Sequence, residues 1–159
     1  MRSYCLLQLH GHTCGVDLSA VKEVLPVQPL ALVPLGPECL LGAINLRSEI
    51  VSVYALESVL QGDFVAEADD NGAPPATPVV SGQDDRFLIL QYEDFTFGVR
   101  ALRVDTVRLP DEAEPLDPRL PEVSLLHPPM EFEDHTFRVI ELDHLVQRLR
   151  LIMTHCFSE

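Results

Sequence analysis

The sequence predicts a mainly β protein built from two copies of one small barrel. Three observations carry this: short period-2 apolar runs punctuated by Gly and Pro, self-similarity between the two halves of the chain, and a helical pattern confined to the C-terminus. With 159 residues and 47% apolar content, the chain is long enough to bury roughly 70% of its unfolded surface, so its core needs no disulfide or metal.

The elements follow in order. Alternating runs predict strands at 4–10, 13–17, 21–27, 42–47 and 50–54. His10-Gly11-His12 reads as a tight hairpin turn between the first two, with Gly11 free to take positive φ. Pro26, Pro29, Pro34 and Pro37 forbid a long regular element after the third strand. Leu56–Leu60 reads as one helical turn. Beyond Asp143, an expected N-cap, Leu145, Val146, Leu149 and Ile152 have the spacing of an amphipathic helix.

The second half repeats this order. LQLHGHTCGVDLSAVKEV aligns with LQYEDFTFGVRALRVDTV, pairing Gly15 with Gly98, Val21 with Val104 and Val24 with Val107. VYALESVL aligns with VIELDHLV, pairing Val53 with Val139, Leu56 with Leu142 and Val59 with Leu145. The offset is 83 in the first block and 86 in the second, which predicts two copies of one β unit. Each alone has a marginal core, so they are expected to pack together. The expected organisation is a single domain over 1–159, with a first barrel at 1–62, a linker at 63–86, and a second barrel with the C-terminal helix at 87–159.

Charge is unevenly spread. The net of −14 divides into −2 over 1–62, −5 over 63–86 and −7 over 87–159. The middle stretch, with three prolines, two glycines and no periodicity, reads as a solvated linker; an acidic interaction segment is the alternative. A −14 chain repels polyanions and lacks the basic, aromatic-lined groove that single-stranded nucleic acid needs, which sets a nucleic-acid-binding barrel aside. No apolar stretch has the length of a membrane span and the N-terminus lacks a signal-peptide core, so the expected compartment is the cytoplasm. Cys5, Cys14, Cys39 and Cys156 show no CxxC spacing and read as buried thiols.

Three stretches, CGVDLSAVKEVL, VPLGPECLLGAINLR and EIVSVYALESVL, resemble the CheW-like domains of bacterial chemotaxis coupling proteins. CGVDLSAVKEVL is similar to the family's aromatic-Gly-Ile-Asp start with its V-x-E-V/I sequel. VPLGPECLLGAINLR is similar to its Pro-x-x-Pro connection followed by Asn-Leu-Arg, and EIVSVYALESVL to the strand and helix after that. The match is strong over 5–60, moderate over 87–109 and 136–146, and poor between. It implies two five-stranded SH3-like barrels on a shared core. It also implies a non-enzymatic adaptor without a cofactor, whose partners are a chemoreceptor signalling tip and the regulatory domain of a CheA-type histidine kinase. Recruitment to membrane receptor arrays follows from the same resemblance. Three departures stand out. The family's Asn-Leu-Arg-Gly is Asn45-Leu46-Arg47-Ser48; if the glycine position needs positive φ, Ser costs about 1 kcal/mol and predicts a reshaped turn. Residues 98–102 depart from the family's Gly-hydrophobic-hydrophobic-Val-Asp, and 111–135 lack its Gly-containing strand. They suggest a specialised coupler, of a pilus-motility or other non-flagellar system, that binds one partner alone.

The expected partner-binding residues are Val21, Glu23, Val24, Ile44, Asn45, Leu46 and Arg47. Arg47 precedes a turn and offers a planar fork of donors; the resemblance implies that it supports receptor and kinase coupling. Val21 and Val24 read as core or inter-barrel residues, with Glu23 pointing elsewhere. Ile44 and Leu46 share a strand face and are expected to wall an apolar groove for a helical guest. A remote alternative is a metal or thiol site at His10, His12 and Cys14, which alternate along the chain; the turn at Gly11-His12 breaks their common face, and no oxyanion element accompanies them.

Overall fold

The computed structural model describes residues 2–9, 11–34, 36–60, 85–109, 124–132 and 135–157. Its elements are β1 (Arg2–Leu9), β2 (His12–Asp17), a 3-10 turn (Leu18–Ala20), β3 (Val21–Pro26), β4 (Leu40–Leu46), β5 (Glu49–Tyr54) and α1 (Leu56–Val59), followed by β6 (Arg86–Tyr92), β7 (Phe95–Ala101), β8 (Arg103–Leu109), β9 (Met130–Phe132), β10 (His135–Val139) and α2 (Leu142–Phe157). They form two five-stranded SH3-like sheets, of order β8-β1-β2-β10-β9 and β3-β6-β7-β5-β4.

These sheets correct the expected division at 1–62 and 87–159. Each is assembled from both halves of the chain: β1 and β2 join β8, β9 and β10, while β6 and β7 join β3, β4 and β5. The repeat predicts the unit; the chain exchanges the last three strands of each unit with the other. The exchange is symmetric in detail. Gly15 of β2 sits beside Val139 of β10 in a parallel pair, and its repeat mate Gly98 of β7 sits beside Val53 of β5 in the other. A Cβ at Gly15 would come within 3.0 Å of the Phe137 ring, and one at Gly98 within 3.1 Å of Val53, so close strand approach explains both glycines.

Three apolar clusters follow. Tyr4, Leu6, Val107, Leu109, Phe137 and Val139 fill one barrel; Ile44, Val51, Val53, Phe87 and Ile89 fill the other. Between them lies a larger core that includes Leu7, Cys14, Tyr54, Leu88, Leu90 and Phe97. Successive residues of β1 and β6 alternate between a barrel interior and this central core, which is why SYCLLQL and RFLILQY read as near-continuous apolar runs instead of alternating ones.

α2 buries Leu142, Leu145, Val146 and Leu149 against the central core, one stripe at 3.6-residue spacing. The Leu145 N–H donates to the Glu141 carbonyl at 3.0 Å, so the helix opens at Glu141. Asp143 therefore lies inside the first turn and is not the cap, a correction. There its carboxylate accepts from Gln147 Nε2 at 3.1 Å and complements the helix dipole. Leu9 pairs with His12 across the first hairpin, and Gly11 takes the expected positive φ, at 80°. The expected linker is also shortened: Asp85 is 3% exposed and accepts from Arg100 Nε at 3.2 Å, and Arg86 opens β6. Residues 63–84 lie outside the described residues.

Candidate protein-docking face

The site is built on β3, an outer strand of its sheet, and on the β4–β5 hairpin. Leu46 pairs with Glu49, leaving Arg47 and Ser48 as a two-residue turn at φ 52° and 72°. Two left-handed residues make a type I′ turn, whose twist matches the strands. Ser48 thus keeps the conformation that glycine adopts freely. The turn is strained by about 1 kcal/mol and not reshaped, contrary to the expectation.

The hairpin tip meets β3 through two ion pairs. Arg47 Nη2 donates to Glu23 Oε1 at 3.2 Å, and Lys22 Nζ lies 3.9 Å from Glu49 Oε2. The Arg47 side chain is 74% exposed and that of Glu23 24%. An exposed pair of this kind contributes less than about 1 kcal/mol to stability; its effect is to hold the guanidinium in one place. Glu23 Oε2 is buried and finds no hydrogen-bond partner among the described residues, so the carboxylate's described contact is to Arg47.

A bulge sets this up. β3 pairs Val21 with Leu90 but Glu23 with Ile89, leaving Lys22 as an extra residue. Beyond it Glu23 faces the barrel mouth and Val24 turns outward, 44% exposed. The expectation that Val24 is core is corrected: one inserted residue reverses the faces that follow it. Val21, before the bulge, does pack against the central core.

The strand face shared by Ile44 and Leu46 points into the barrel. Ile44 is 5% exposed among Val51, Val53, Phe87 and Ile89, and Leu46 packs on the same cluster. Neither walls a groove, a second correction. The outward face of the hairpin carries exposed Asn45 and, opposite it, Ile50 at 69% exposure. Ile50 and Lys22 escaped the sequence reading. The signal for Ile50 was present, because a two-residue turn at 47–48 places position 50 across from 45. Leu32, at 84% exposure, extends the apolar surface of the loop whose Ala31 bridges to Ala43 of β4.

Two residues of the remote metal or thiol reading differ in burial. Cys14 is fully buried in the central core and His12 is partly exposed at the start of β2; His10 lies outside the described residues. Among the described residues no three His, Cys, Asp or Glu side chains converge as metal ligands. Burial, with the Asp105 charge second, pushes the Cys5 thiol up to about 11, so it holds its proton at neutral pH and is no nucleophile.

The CheW-like domain model matches residues 3–150 of the chain. The chain belongs to the CheW-like domain family. A curated relative, the chemotaxis protein CheW of Treponema pallidum (strain Nichols), is 30% identical over 112 residues, which are 68% of this chain and 59% of that protein's length. Among solved structures, the scaffolding protein TtCheW from Thermoanaerobacter tengcongensis superposes with a TM-score of 0.69 over 88% of both chains at 17% identity. That likeness shows that the two share the CheW-like fold. Among the described residues no helix is long and apolar enough to cross a membrane.

Proposed function

We propose that this CheW-like chain is a non-catalytic chemotaxis adaptor that couples chemoreceptor signalling tips to the regulatory domain of a CheA-type histidine kinase. It acts in the cytoplasm, drawn to receptor arrays by these contacts. The observation that carries the reading is the exposed Arg47 guanidinium, held against β3 by Glu23, with Val24 of that strand and Ile50 of the same hairpin also exposed. Apolar side chains supply contact area, and a fixed, exposed arginine orients a partner through carboxylates or carbonyls. Val21, Ile44 and Leu46 serve this face from beneath by fixing the strands; Glu23, Val24, Asn45 and Arg47 meet the partner.

Titration with a receptor signalling tip and, separately, the kinase regulatory domain tests the reading. Both bind the native chain, and Arg47→Ala weakens receptor binding about tenfold or more while leaving the urea midpoint unchanged. Binding to neither partner at roughly 50 μM sinks it. A second reading, a one-partner coupler of a non-flagellar system, is favoured by the asymmetry between seven-residue β4 and three-residue β9; it expects the receptor or the kinase domain alone to bind.

A further inference from the structure

The two halves of the chain hold each other together through four ladders. β1 pairs with β8 from Arg2–Leu109 to Gln8–Arg103, and β3 with β6 from Val21–Leu90 to Pro26–Arg86. β2 lies beside β10, and β5 beside β7. Without these cross-half ladders the first half retains the hairpins β1–β2 and β4–β5 and a lone β3. The second retains β6–β7, β9–β10 and a lone β8. Neither keeps a described sheet of more than two strands, and an isolated two-stranded hairpin is marginal in water. The central core is likewise shared, with Leu7, Cys14 and Tyr54 of one half against Leu90, Phe97 and Leu149 of the other.

Every surface that one half presents to its own complement therefore fits the complementary half of another molecule equally well. We propose that the partner for these surfaces is a second copy of this chain, in a strand-exchanged dimer. Residues 2–60 of each copy complete residues 85–157 of the other. Both bodies of the dimer reuse the ladders of the monomer, so no new contact is required and the balance between the two states is set by chain connectivity. Joining the halves in one chain gives each an effective concentration on the order of 1 mM for the other. The monomer dominates at micromolar concentration, and exchange competes when chains refold near that value. The dimer carries two complete Glu23–Arg47 faces on one particle, which makes a bivalent scaffold out of a univalent one.

The test uses the full chain with Ser3→Cys and Arg108→Cys, which replace partners in the β1–β8 ladder, and with Cys156→Ser to remove a competing thiol. Opposed residues of an antiparallel pair lie about 4.5–5.5 Å apart, within disulfide reach. The protein is unfolded in urea, refolded at about 10 μM and about 1 mM, oxidised, and run on sizing columns and non-reducing gels. The expected result is a chain linked to itself at the low concentration and a disulfide-linked dimer, at least tenfold enriched, at the high one. Self-linked chains at both concentrations overturn the proposal. So does a dimer on the column whose disulfides lie within each chain, because that is association through outer surfaces. Should the cysteine variant fail to refold, the native sequence with a protease site inserted between Gly72 and Ala73 decides. Protein refolded at the high concentration should run as a dimer before cutting and fall to monomer-sized particles after it, because only the joining segments tie the two bodies together; no dimer before cutting, or a dimer that survives it, overturns the proposal.

Discussion

β3 and β8 are the same strand in the two repeats, and they do opposite things. Both enter from a short crossing segment, and both place a valine, Val21 or Val104, against the central core. In β8 the pairing with β1 is unbroken, and Val107 and Leu109 fill a barrel at 7% and 0% exposure. In β3 one extra residue, Lys22, shifts the ladder, and Val24, the repeat mate of Val107, emerges at 44% exposure. The same motif yields a core strand in one barrel and an edge with an exposed apolar side chain in the other. A bulge converts one to the other without disturbing the sheet, because the residues beyond it remain hydrogen-bonded in register.

The largest effect expected from this contrast belongs to the β8 side. Cys5 faces Thr106 of β8, and its thiol is pushed up to about 11 in the fold from an ordinary value of 9.0. The folded state favours the neutral thiol, so its contribution is complete below the unfolded value and is lost as pH climbs from about 9 towards 11, by roughly 2 to 3 kcal/mol. Urea melts across that range check it, with Cys5→Ala removing this part of the slope. Next, Val107→Ala should lower stability by about 2 kcal/mol, whereas Val24→Ala should change it by less than about 0.5 kcal/mol and weaken partner binding; equal stability losses would show that the bulge does not re-aim the strand. Ser48→Gly should raise stability by about 1 kcal/mol through release of the left-handed strain in the docking hairpin, measurable as a shifted urea midpoint at constant slope. The smallest effect is the Glu23–Arg47 coupling, below about 1 kcal/mol in a double-mutant cycle on stability; the same cycle read on partner affinity should give a larger coupling if the pair orients the docked molecule.

The fold class was legible because its signals are local. Period-2 runs, Gly11 and the stripe Leu145, Val146, Leu149 each depend on a few neighbouring residues. The repeat was legible too, and Gly15 and Gly98 prove to be mates in symmetric parallel pairs. Strand exchange was not, because β1 pairs with β8 across about a hundred residues and nothing in either strand's composition tells a partner in its own half from one in the other. Two side-chain orientations were misread: Val24, expected in the core, is exposed, and Ile44, expected to wall a groove, is buried in the barrel. Both errors are matters of parity: Val24 is reversed by a bulge that leaves no trace in composition, and Ile44 lies on the inward face of a strand whose outward face carries Asn45.

β1 and β6 are each flanked by a partner on both edges, β1 by β8 and β2, β6 by β3 and β7, and both faces are buried from Tyr4 to Leu7 and from Phe87 to Leu90. Their amides have no route to solvent through fraying or local opening, so deuterium should enter them when the whole molecule opens and not before. The two strands come from opposite halves of the chain, yet their slowest amides should exchange with one common free energy, as parts of a single cooperative unit.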